Sequence, residues 1–178
     1  FVTICVAIVQ FSKHNLEEAK KDLQETQEKY GWVEKESVDV LVAKFNTQVM
    51  DNDSSSLNPA STDYLTESNN EYWYGLIEGV YLVVVPEKYT GDKTTETVNY
   101  TLLYVDKTSK YESDAISYIK YLIKANNSEI TDSEIDTLLE DAKTKINSGK
   151  TANNGKGISI GYTEKDEAYQ YQVLRLYK

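Results

Sequence analysis

Residues able to carry acid–base, nucleophilic or metal chemistry are few in this chain. Among 178 residues there is one histidine, His14, and one cysteine, Cys5. A Ser–His–Asp or Cys–His site would have to draw on His14. That residue sits in a polar stretch behind an apolar run and reads as a surface side chain. A structural zinc site needs four ligands, mostly Cys and His, so Cys5 and His14 cannot build one. Neither G-x-x-x-x-G-K-[ST] nor G-x-G-x-x-G occurs. Gly149-Lys150-Thr151 has the last residues of a phosphate loop, but it lacks the earlier glycine and leads into an expected strand, so it reads as a connector. Asp51-x-Asp53-x-Ser55 opens like a calcium loop, yet Ser56 stands where glycine is needed and Thr62 where glutamate is needed. The expectation is no metal, no cofactor and no catalytic residue.

Carboxylates and tyrosines remain. Between Glu129 and Asp141 lie six acidic residues and no basic one. On a helix Asp132, Asp136 and Glu140 fall at i, i+4 and i+8, where like charges repel by about 0.3 kcal/mol per pair. Acids in a first turn recover about as much from the helix dipole. The row therefore reads mainly as a solvated face, and secondarily as a surface for a basic protein partner. Fifteen tyrosines occur, many in segments of strand character. At period two, Tyr169, Tyr171, Val173, Arg175 and Tyr177 share one face of the last strand, with Ala168, Gln170, Gln172, Leu174 and Leu176 on the other. Tyrosine with arginine is favoured at protein–protein contacts, so Tyr169, Tyr171, Arg175 and Tyr177 join Asp132, Asp136 and Glu140 as candidate binding residues. Strand propensity alone also accounts for the tyrosines.

Several elements must position these residues. Leu16 to Tyr30 reads as a mostly solvated helix with a thin apolar seam of Leu16, Ala19, Leu23 and Tyr30, closed by Gly31. A second helix is expected from Ser37, as N-cap, to Met50, burying Val38, Leu41, Val42, Phe45 and Val49. Residues 51–70 are rich in Ser, Thr, Asn and Asp and read as a flexible loop. Strands are expected at Tyr72–Ile77, Val80–Pro86 and Val98–Val105. Val80 to Val85 is apolar on both parities and so belongs mid-sheet. A helix capped by Ser113 buries Ala115, Ile116, Ile119, Leu122 and Ile123. The next opens on a capping box, Thr131 to Glu134, and buries Ile135, Leu138, Leu139, Ala142 and Ile146. A hairpin of Gly157–Tyr162 and Ala168–Tyr177 closes the chain.

The fold class is therefore α+β: an antiparallel sheet of about five strands with two helix pairs packed on it. The order allows a duplicated helix–helix–strand–strand unit, although no residue-level repeat is present. In the order of expected elements alone it resembles the inhibitor proteins of bacterial β-lactamases. Three stretches follow: 1–12, an apolar segment; 13–31, the polar helix; and 32–178, a single α+β domain.

The formal net charge is −10, from 29 acidic and 19 basic side chains, and no three Lys or Arg are consecutive. Nucleic acid would be repelled, and anionic lipid has nothing to grip. A lone cysteine excludes an internal disulfide framework. Phe1 to Val9 is nearly all apolar but far short of the roughly 20 residues a spanning helix needs. It reads as the outer end of a membrane anchor or signal segment, or else as a buried strand. The expected function is a non-catalytic binding or scaffold role with a protein partner, in a bacterial domain that is exported or membrane-tethered; a cytoplasmic location is the alternative. Two other readings are an acidic inhibitor or immunity-type protein and a carboxylate-dependent glycoside hydrolase.

Overall fold

The computed structural model describes residues 34–52, 57–61, 66–153 and 156–175. Three helices are described, α1 (Val38–Asn52), α2 (Glu112–Asn126) and α3 (Asp132–Thr144). The strands are β1 (Thr66–Ser68), β2 (Glu71–Ile77), β3 (Val80–Pro86), β4 (Val98–Asp106), β5 (Ala152–Asn153), β6 (Ile158–Glu164) and β7 (Ala168–Arg175). They form one antiparallel sheet in the order β1-β2-β3-β4-β7-β6-β5. The α+β class thus stands. The sheet is larger than the expected five strands, with six of three residues or more and a two-residue seventh.

The added strands arise where composition signals a loop. Thr66–Ser68 pairs with β2 inside the stretch read as flexible, and Leu57 and Ala60 of that stretch are buried. Asn46 holds it down, donating from Nδ2 to the Ala60 carbonyl at 2.8 Å and accepting the Ala60 N–H at 2.7 Å. Likewise Ala152–Asn153, within the expected connector, pairs with β6. Polar residues suit an edge strand, which shares its backbone with solvent on one side.

One helix pair, α2 and α3, is present as expected. The helix at 16–30, the apolar run 1–9, His14, Cys5 and Tyr177 lie outside the described residues. The duplicated unit is not confirmed, since the first helix it requires lies outside the described residues.

Capping accounts for the helix starts. Thr131 and Glu134 form the capping box of α3, each taking the other's backbone N–H. Ser37 Oγ accepts the Val40 N–H at 3.4 Å, while Val38 and Asp39 donate to the carbonyls of Glu96 and Lys93 in the β3–β4 loop. α2 corrects the expectation for Ser113. The helix begins at Glu112 and Tyr111 occupies the cap position without a side-chain bond, so Ser113 lies inside the first turn. Ile146 is another correction: α3 has ended before it and it is 42% exposed.

The helices cover one sheet face. Val38, Leu41 and Phe45 of α1, Tyr118, Ile119 and Leu122 of α2, and Ile135 and Leu138 of α3 join Tyr74, Leu82, Leu103 and Val173 of the sheet in one core. The opposite face carries a second cluster built from strands alone among the described residues: Trp73, Val83, Val85, Tyr100, Leu102, Tyr104, Ala168 and Leu174. Its aromatic centre is Trp73, Tyr81 and Tyr104, with ring centroids 5.6–6.1 Å apart, a spacing at which tilted rings attract. β3, β4 and β7 are accordingly buried on both faces.

The β2–β3 turn is locked onto the exit from β4. Gly79 has φ +77°, and a Cβ there would lie 2.9 Å from Ser109 Cβ. Gly79 accepts the Asp106 N–H at 2.8 Å, and Ser109 Oγ donates to the Glu78 carbonyl at 2.8 Å. Gly91, at φ +86°, meets only the far end of Tyr89 at 3.9 Å. Gly91→Ala is expected to cost only the left-handed penalty, about 1–2 kcal/mol. Gly79→Ala adds a collision with the Ser109 Cβ and is expected to cost about 1–3 kcal/mol more. Urea unfolding of the two variants measures the difference.

Candidate binding groove at the end of the helical layer

The groove is built around a buried ion pair. Arg175 closes β7 on the helix-covered face, directly opposite Ile158 of β6. Its guanidinium Nη1 donates to Glu36 Oε1 at 2.5 Å, and Nη2 donates to the Glu34 carbonyl at 3.2 Å. The two side chains are 1% and 6% exposed. Lys44 of α1 donates to the other Glu36 oxygen at 2.5 Å. One carboxylate therefore joins the segment entering α1 to the last described strand.

An open groove of about 420 Å³ lies beside this cluster. Lys44, Thr47 and Gln48 form its α1 wall, and Lys124 and Asn126 its α2 wall. Ser128 and Glu129 of the α2–α3 turn close it, with Arg175 at the base. Asn126 is 5% exposed; its Nδ2 donates to the Leu122 carbonyl at 2.8 Å, which fixes the amide orientation and leaves the buried Oδ1 unpartnered. A buried acceptor without a donor is costly, about 1–3 kcal/mol. The turn is rigid: Asn127 donates to the Lys156 carbonyl at 2.7 Å and accepts the Glu129 N–H at 3.0 Å. Lys156 reaches the Glu129 carbonyl at 3.2 Å.

The acidic row on α3 is neutralised by its neighbour. Asp132 pairs with Lys124 at 2.7 Å and Asp136 with Lys120 at 2.6 Å, an antiparallel ladder between α3 and α2. The hydrogen bond and charge of Lys124 hold the Asp132 carboxyl below the usual carboxylate range. Glu134 is held down to about 2, first by the Thr131 N–H and then by Lys156 and the Thr131 hydroxyl. Asp141 pairs with Lys145 at 2.8 Å. Glu140 is exposed on the outer side of the row. So all three carboxylates face solvent, Asp132 and Asp136 paired at the surface with lysines of α2.

The tyrosine face points inward. Tyr171 is fully buried and Tyr169 is 6% exposed, and with Tyr162 they form an aromatic trio with centroids 4.9–6.0 Å apart. Burial pushes the Tyr169 hydroxyl up to about 12, with the charges of Glu112 and Glu164 adding to it; burial likewise raises Tyr171. These side chains offer no contact surface, because α2 and α3 cover the face they share. Arg175 alone of that face reaches the groove.

Lys44, Lys124 and Asn126 of the groove, and Glu36 beside it, are residues that sequence reasoning passed over. One signal was legible. Lys120 and Lys124 stand at i, i+4 on one helix, as Asp132 and Asp136 do on the next, and two antiparallel helices bring such pairs together. Nothing marked Glu36, whose partners lie 139 and 8 residues away.

Among the described residues there is no histidine or cysteine, and no group of three or more His, Cys, Asp or Glu side chains could hold a metal ion. No helix among them is long and apolar enough to cross a membrane. What the groove can do is bind polar groups: Lys44, Lys124 and Arg175 line it, each ion-paired within the chain, together with Thr47 and Gln48. The chain matches no family model, no curated protein and no solved structure.

Two outcomes follow. Arg175→Met removes the buried partner of Glu36 Oε1 and leaves Lys44 as its remaining cation, so it is expected to cost about 1–3 kcal/mol, much of it recovered in Arg175→Met/Glu36→Leu, as judged by urea unfolding. The Glu134 carboxyl is lowered on folding, so its contribution is present above its ordinary value of 4.5 and is lost as pH falls toward about 2. Glu134→Gln is therefore expected to flatten that part of the acid-stability profile. Thermal melts at about pH 6, 4 and 2.5, which run from above the ordinary value down through the window of loss, check it.

Proposed function

We propose that this domain works by contact, as a non-catalytic binding or scaffold module whose partner is a protein, and that the groove between α1 and α2 is its contact surface. The observation that carries this reading is the state of its carboxylates. Asp132, Glu134 and Glu164 are lowered by hydrogen bonds and lysines, and Asp136 and Asp141 are tied to lysines. A general acid needs a raised, poised carboxyl. These are pinned anions with structural work to do.

The groove supports contact through its composition: Thr47 and Gln48 stand between Lys44 and Lys124, each of which is ion-paired within the chain but carries further N–H donors. The acidic-inhibitor alternative draws support from the net charge of −10. Asp132, Asp136 and Glu140 are exposed on α3, the first two paired with lysines of α2, so this row is the surface that the alternative would use. Export or membrane tethering rests on the apolar Phe1–Val9 run alone.

The test is cross-linking and capture with the full chain against extracts of its source, comparing the parent with Lys44→Glu/Lys124→Glu and with Asp136→Asn/Glu140→Gln. Loss of the captured protein, by about tenfold for two interface residues, is expected in the lysine variant only. Loss confined to the acidic variant would move the contact to α3 and support the inhibitor reading. Polysaccharide turnover that survives rigorous purification would defeat the non-catalytic reading.

A further inference from the structure

One face of the sheet is out of water although no described helix lies on it. The helices join the face bearing Leu82, Leu103 and Val173, whereas the second cluster contains strand residues only. Yet Val83, Leu102 and Leu174 are fully buried there, and Trp73, Tyr100 and Tyr104 are at most 6% exposed. Neighbours on a pleated sheet cover the flanks of a side chain and leave its tip to a second layer. The face therefore has such a layer, and none of the described helices supplies it.

Length leaves one segment of this sequence able to supply it. Along β7 the cluster runs from Ala168 to Leu174, about 20 Å at strand rise. Apart from residues 1–33, the stretches outside the described residues are 53–56, 62–65, 154–155 and 176–178. Four extended residues reach about 14 Å at most and cannot cover the face. Leu16 to Tyr30, read from the sequence as a helix, has a length of about 22 Å in that form. The place of entry also fits. The Glu34 carbonyl accepts from Arg175 Nη2 at 3.2 Å, and the Glu36 carbonyl accepts the Val98 N–H at 3.0 Å. Glu34 thus stands where β4 begins and β7 finishes, beside Tyr100 and Leu174 of the cluster, which pair across the two strands. From there Gly31 to Val33 can span about 10 Å, the spacing of packed layers.

We propose that residues 16–30 close this face as a helix laid along β4 and β7, with the seam of Leu16, Ala19, Leu23 and Tyr30 against the cluster. Tyr30 then meets Tyr100 and Leu174, and Leu16 reaches Tyr104 and Ala168 at the far end. Chemistry matches as well as length. The face is apolar at its centre but also buries Gln170 and Gln172, whose side-chain nitrogens have no hydrogen-bond partner among the described residues. A buried donor left unpaired is costly. Thr26 and Gln27 stand three or four residues from both Leu23 and Tyr30, on the seam side of the helix, and carry acceptors. Glu17, Lys21 and Glu25 fall on the opposite side, toward water. The polar stretch is thereby part of the domain, and the second sheet face is closed to any other partner.

The experiment uses the full chain. With Trp32→Phe the fluorescence reports on Trp73 alone, since the sequence has two tryptophans. Leu23→Glu in that background sets a charge against the cluster and is expected to raise acrylamide quenching of Trp73 severalfold. Lys21→Glu, on the opposite side of the helix, is expected to leave quenching at the parent value. A folded Leu23→Glu chain with Trp73 shielded as in the parent would overturn the inference. So would shielding that disappears when the parent is diluted, which would assign the face to a second copy. Should Leu23→Glu fail to fold, a nitroxide attached through Lys21→Cys in a Cys5→Ser chain decides the matter. It is expected to broaden the Leu102 and Leu174 amide signals and to spare Ile119 of α2, across the sheet. Broadening that does not favour Leu102 and Leu174 over Ile119 would refute the placement.

Discussion

The structure depends on burying both faces of the strands at the middle of the sheet. β3, β4 and β7 have almost no side chain in water, and Val83, Leu102 and Leu174 are as buried as Leu82, Leu103 and Val173 on the other side. An antiparallel sheet with one wet face alternates apolar and polar residues; one covered on both faces cannot. Every side chain on these strands therefore has to be accommodated by packing. That requirement explains the large share of tyrosine. A tyrosine fills interior volume as phenylalanine does and tolerates a partly polar surrounding. Tyr72, Tyr74, Tyr100 and Tyr171, each no more than 1% exposed, meet it.

Charge is organised to serve the same end. The chain carries an excess of carboxylates, yet those near the helical layer are spent on internal lysines, Asp132 and Asp136 on α2 and Glu134 on Lys156. Exposed pairs of this kind contribute little individually, about 0–1 kcal/mol, and they set the register of α3 against α2 rather than hold the fold together. The Glu36–Arg175 pair differs, because both side chains have left water. A buried pair stabilises weakly overall but punishes the loss of either member, which makes it a device for specifying where the chain entering α1 must lie. The groove beside it inherits that rigidity.

Much of the fold was legible. The three central strands, the final hairpin, the α3 capping box and the apolar faces of α1 and α3 followed from period and cap chemistry, which are properties of a few neighbouring residues. β1 and β5 were not legible, because two or three polar residues carry no periodic signal and become strands only when an adjacent strand offers its edge. The paired lysines of α2 and aspartates of α3 were visible as two separate rows; that they answer each other depends on the antiparallel crossing of two helices. The Glu36, Lys44 and Arg175 cluster had no local trace at all.

By itself the sequence determined the α+β class, the central strands and the two faces of β7, because side-chain alternation is set by backbone geometry at each residue. It also limited the chemistry, since a single imidazole and a single thiol are counted before any folding. Only the tertiary structure decided which face of β7 the helices cover, and that its other face is buried as well. The helices chose the side bearing Tyr169, Tyr171 and Arg175, converting an apparent contact surface into core. The physical reason is that alternation defines two faces without ranking them, and burial is assigned by what packs against each from elsewhere in the chain.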